Sequence, residues 1–119
     1  MQRSRVRLLL ILLLVGAAGG LSIVDHAPGA PRMWAVEPQE AKPGDAVVVF
    51  GDHLNGSRIQ ELYLTNVRAE LSVETLEQSL DAIRFKVPGG TLRGRYWLAY
   101  PAPGVELILL VQPVSLAVR

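Results

Sequence analysis

The chain contains no cysteine. Disulfides, thiolate metal sites, a cysteine nucleophile and a lipidated cysteine are thereby excluded. Histidine is scarce, with only His26 and His53, and aromatic residues make up 6% of the 119 positions. Neither sign of charge dominates: 12 Lys and Arg stand against 11 Asp and Glu. Arg3, Arg5 and Arg7 lie at the extreme N-terminus, so beyond residue 20 nine basic side chains face 11 acidic ones. A near-neutral, slightly acidic domain offers no electrostatic case for nucleic acid, which requires a basic surface. A sustained helical period is also missing beyond residue 31.

What is abundant is apolar residue, at 50% of the chain, and it is unevenly spread. The N-terminus runs from a basic "MQRSRVR" through the apolar "LLLILLLV" of residues 8–15 to the small-residue stretch "GAAGG". That order predicts an export signal over residues 1–21, with Ala17 and Gly19, or Ala18 and Gly20, preceding the cut. The alternative is an uncleaved membrane anchor, because residues 8–24 hold only small or apolar side chains and Ser22. Both readings place the chain after the leader outside the cytoplasm, since the arginines stay inside. Periplasmic or extracellular localisation is therefore expected, with membrane contact only through an uncleaved leader. Residues 22–31, "SIVDHAPGAP", read as a linker on their proline and glycine.

From residue 32 the chain shows short apolar runs separated by Pro, Gly, Asn and Asp. This pattern predicts an all-β sandwich of about seven strands. The runs are residues 32–36, 46–50, 59–65, 67–73, 82–87, 95–100 and 105–118; residues 74–80 read as ambiguous between a strand and a helical turn. In "AIRFKV", Ile83, Phe85 and Val87 alternate with Arg84 and Lys86, so the apolar three are expected inward. Val67, Ala69, Leu71 and Val73 are expected on one face, and Pro113 at an edge or bulge. "PGDAVVVFGDHL" (residues 43–54) reads as a strand between turns. Pro43 presets a turn, Gly44 takes a positive φ, Asp45 bonds nearby amides, and Gly51 releases the chain.

A search for chemistry returns little. Asp52, His53 and Asn55 offer donors, but a zinc site needs three or four ligands and calcium six or more oxygens. Asp45, the one other nearby carboxylate, is carried to the opposite strand end. Ser57, Ser72, Ser79 and Ser115 lack a nucleophile-elbow setting. Glu61, Glu70, Glu74 and Glu77 are spread over outward positions rather than paired across a cleft. "GDHLNG" and "PGG" are followed by neither Lys-Ser/Thr nor a helix, as a phosphate loop would be. No catalytic residue, cofactor or metal is expected.

Four segments in order carry a family resemblance: "PRMWAVEP" from Pro31, "PGDAVVVFGDHL" from Pro43, "DAIRFKVP" from Asp81 and "GRYWLAY" from Gly94. Together they resemble the IPT/TIG family of immunoglobulin-like domains, found in plexins, some transcription factors and many bacterial exported proteins. His53 stands where the family usually has Asn, and Tyr100 where it usually has Val. The resemblance implies an early-set immunoglobulin-like sandwich over residues 32–119. It also implies a non-catalytic role: binding a protein or glycan, or spacing other domains.

The family pattern also implies that Tyr96, Leu98 and Tyr100 face the core. Trp97 then looks outward beside Arg95, an arrangement common at binding anchors. The alternative is that the flanking chain or the C-terminal strand covers Trp97. Trp34 on the first strand has the same candidate status. The expected function is thus an exported binding or adhesion module for a protein or glycan at the cell envelope, with Trp97, Arg95 and Trp34 as partner-binding residues. The competing expectation is a spacer or assembly subunit that associates through sheet edges.

Overall fold

A computed structural model describes residues 29–119. The expected leader helix, its boundary at residue 21 and most of the linker lie outside the described residues. The described part is all-β, with two sheets and nine strands rather than seven. The strands are β1 (Arg32–Glu37), β2 (Glu40–Ala41), β3 (Ala46–Asp52), β4 (Tyr63–Thr65), β5 (Glu70–Ser72), β6 (Glu74–Gln78), β7 (Ala82–Lys86), β8 (Gly94–Ala102) and β9 (Val105–Val118). One sheet has the order β1-β3-β7-β6 and the other β2-β9-β8-β4-β5. The fold is consistent with an immunoglobulin-like domain.

The count grows for two local reasons. β2 is only two residues long and pairs parallel to the end of β9, so no sequence period announces it. The chain between β1 and β2 passes Pro38, whose peptide bond is cis, and carries β2 from one sheet to the other. Residues 74–80 resolve their ambiguity as β6, an edge strand whose five side chains are all exposed. Two expected strands are shorter than their apolar runs. In the first, only Tyr63–Thr65 pairs, while Ile59 and Leu62 are buried from the preceding loop. In the second, only Glu70–Ser72 pairs, after Asn66 turns the chain with its side-chain oxygen accepting the Arg68 and Ala69 amides. Val67 on that turn is 75% exposed, so it departs from the face shared by Ala69, Leu71 and Val73.

Period-two alternation packs the core between the sheets. Ile83, Phe85 and Val87 are buried, as are Val47 and Val49 of β3 and Tyr96, Leu98 and Tyr100 of β8. Both core tyrosines place their hydroxyls on carbonyl oxygens, Tyr96 on Leu92 at 2.8 Å and Tyr100 on Pro31 at 2.9 Å. The rings are thus buried without stranding a polar atom.

The segment "PGDAVVVFGDHL" forms a turn followed by strand β3. Gly44 has φ +94°, and its amide donates to the Val87 carbonyl at 2.8 Å. The Asp45 carboxylate accepts the Lys42 amide at 2.9 Å and closes the turn. Gly51 has a different role from release of the chain. It lies within β3, opposite Met33, where a Cβ would overlap the Arg32 carbonyl oxygen. His53 adopts φ 57°, the left-handed conformation that Asn, Asp and His enter more readily than other side-chain-bearing residues.

Candidate functional site

A groove lies where the free edge of β1 approaches β9. Its floor follows from register. Arg95 of β8 and Glu40 of β2 both pair with Ala117 of β9, so the three side chains form one row across three strands. Paired residues in a sheet project to the same face. The small Ala117 is therefore flanked by a cation on one side and a carboxylate on the other, two strand spacings apart, or about 10 Å. Ser115, two residues earlier on β9, continues the low floor and accepts a 2.9 Å hydrogen bond from Arg95 Nη1. Glu40 in turn meets Arg119 at 3.5 Å in an exposed ion pair.

Two bulges shape the far wall. The β1–β3 register shifts between Met33 and Ala35, which leaves Trp34 without a partner on β3. Met33 then turns inward and Trp34 outward, the residue being 57% exposed. The β8–β9 register shifts between Trp97 and Ala99, and the additional residues on β9 include Pro113. A proline has no amide to give the ladder, so a bulge accommodates it, as its sequence position required. The buried Gln112 side chain fastens the two strands by accepting the Met33 amide at 3.0 Å. Trp34 and Pro113 both line the groove, whose volume is about 300 Å³.

The structure thus brings together two of the three expected residues, Trp34 and Arg95, and they come from opposite sheets. Trp97 shares the outer face with Arg95 but is not among the groove's lining residues. It is half-buried against a second, smaller apolar cluster of Tyr63, Ala99, Leu109 and Val111. Sequence reasoning missed Gln39, Glu40 and Ser115. The only signal for this region was Pro113, which marked a bulge but not what the bulge would face.

Among the described residues, no group of three or more His, Cys, Asp or Glu side chains is placed to hold a metal ion. The groove lining contains one carboxylate, Glu40, and no histidine. What the arrangement can do chemically is offer an aromatic face, a guanidinium, a carboxylate, an amide and a hydroxyl to a small ligand surface.

Fold and groove together define an all-β, two-sheet sandwich with a lateral cleft. Solved structures share the fold. A Bacteroides thetaiotaomicron protein of unknown function matches with a TM-score of 0.61 and 15% identity over 76% of this chain and 22% of its own. A γ-CGTase from alkalophilic Bacillus clarkii matches with 0.57 and 22% identity over 75% of this chain and 12% of its own. An auxiliary nutrient binding protein from Bacteroides ovatus matches with 0.52 and 15% identity over 76% of this chain and 21% of its own. This chain therefore spans less than a quarter of the length of each. No family model and no curated protein matches the chain.

Proposed function

We propose that the chain is an exported, non-catalytic binding module that engages a protein or glycan at the cell envelope through the Trp34–Arg95 groove. Residues 1–21 are its signal peptide or membrane anchor, residues 22–31 its linker, and residues 32–119 an early-set immunoglobulin-like domain of the IPT/TIG kind. The observation that carries the reading is the outward indole of Trp34, set on a bulge beside a guanidinium in a concave site. Aromatic and arginine anchors of this kind dominate binding energy in interfaces. The auxiliary nutrient binding protein among the structural neighbours supports the reading by analogy of fold alone.

Association through the β6 edge, one route for the spacer reading, is disfavoured by the state of that edge. A bulge interrupts its pairing between Thr75 and Glu77, and Glu74 and Glu77 are exposed along it. Charges and bulges on an edge oppose strand addition.

The test is capture from an envelope extract by the full chain and by Trp34→Ala. Capture should weaken by about tenfold or more, equivalent to about 1.4 kcal/mol. The melting temperature should stay within a few degrees, because exposed side chains contribute little to stability. Undiminished capture by Trp34→Ala would remove the groove from the binding surface. Intact mass of the exported protein distinguishes a start near residue 21 from retention of Met1, and recovery of the full chain from cytosol would refute export.

A further inference from the structure

Resting on the reading of this groove as a binding site, we infer that its ligand is a neutral saccharide, with one sugar ring seated on Trp34. The first argument is charge. The lining holds one cation, Arg95, and one anion, Glu40, on opposite sides of a neutral floor. An acidic ligand gains from Arg95 but meets Glu40, whose pairing with Arg119 is exposed and therefore weak, and a basic peptide meets the reverse. A hydroxyl group both donates and accepts, so a polyol satisfies the carboxylate, the guanidinium and the Gln39 amide together.

The second argument is size. A volume of about 300 Å³ sits at the lower end for small-molecule sites. A single flat ring flanked by hydroxyls fits.

The third argument is the mixture of surfaces. A sugar ring carries an apolar C–H face and a polar rim. The exposed indole supplies an apolar plate for the face, and Arg95, Glu40, Gln39 and Ser115 supply polar partners for the rim. Arg95 is already oriented by its hydrogen bond to Ser115, which lowers the cost of ordering it on binding. The backbone that carries Trp34 is set by the bulge, with the Met33 amide anchored beside it on Gln112.

The experiment is a glycan array of neutral and acidic oligosaccharides probed with the full chain, Trp34→Ala and Trp34→Phe, each checked for a β spectrum and a wild-type melting temperature. At least one neutral glycan should bind, Trp34→Ala should lose about tenfold or more in affinity, and Trp34→Phe, which keeps an aromatic plate, should stay within a few-fold. In a Trp97→Phe background Trp34 is the sole indole, and the bound glycan should change its emission. Binding to no neutral glycan overturns the inference, as does stronger binding to acidic glycans or equal binding by Trp34→Ala. Trp34-dependent capture of a protein without any glycan binding overturns the saccharide inference while leaving the binding-module reading intact. Loss of both ends both.

Discussion

Replacing Gly51 by Ala adds a single methyl group and tests the pairing that builds the groove. The new Cβ would overlap the Arg32 carbonyl oxygen and lie 2.9 Å from its carbon and 3.0 Å from the Met33 Cα. All three are backbone atoms, so no rotamer change relieves the clash and β1 must move away from β3. Overpacking costs about 1–3 kcal/mol, and each lost ladder hydrogen bond about 1 kcal/mol more. The expected loss is therefore about 2–4 kcal/mol, a large share of the roughly 5–15 kcal/mol that holds a domain together. Gly44→Ala is the control. Its Cβ meets nothing within 4 Å, but its φ of +94° is strained for any side chain, so about 1–2 kcal/mol is expected from conformation alone. With a urea slope of about 1–1.5 kcal/mol per M, Gly51→Ala should lower the unfolding midpoint by about 2–3 M and Gly44→Ala by about 1 M. Because Trp34 rides on β1, Gly51→Ala should also lose ligand capture, whereas Gly44→Ala at the far turn should retain it. A Gly51→Ala loss below about 1 kcal/mol would refute the register of β1 on β3, and with it the bulge that turns Trp34 outward.

Other substitutions check the rest of the sandwich. Phe85→Ala removes a fully buried ring from the inter-sheet core and should cost about 3–5 kcal/mol by chemical denaturation; a loss below about 1 kcal/mol would mean that β7 has the opposite phase. Trp97→Ala should destabilise by about 1–3 kcal/mol through its packing against the cluster of Tyr63, Ala99, Leu109 and Val111, unlike Trp34→Ala; a stable Trp97→Ala would free that side chain for a binding role. His53→Gly should raise stability by about 0.5–1 kcal/mol, because relief of a left-handed residue outweighs the added chain entropy. A lowered melting temperature would show that the imidazole makes a contact worth more than that strain.

The period-two pattern by itself determined the all-β character and most of the core. Ile83, Phe85 and Val87 are buried where their alternation put them; alternation placed Tyr96, Leu98 and Tyr100 on one face, and the family resemblance implied that this buried face is the core. The Pro-Gly-Asp turn was equally legible, since Gly44 and Asp45 act on neighbours within a few residues or on the strand end beside them. Local steric and hydrogen-bonding preferences decide such features, and a window of a few residues contains them. The groove required the tertiary structure. Trp34, Glu40, Arg95 and Ser115 lie on four strands, and only the pairing of β2 and β8 on either side of β9 places Glu40 and Arg95 in one row with Ala117 between them. The outward turn of Trp34 depends on which residue β3 leaves unpaired, and Gly51 settles that through a contact between strands. The half-burial of Trp97 was likewise decided by the cluster of Tyr63, Ala99, Leu109 and Val111, which only the pairing of β4, β8 and β9 assembles. Alternation assigns a residue to a face, but what else occupies that face is a matter of long-range packing.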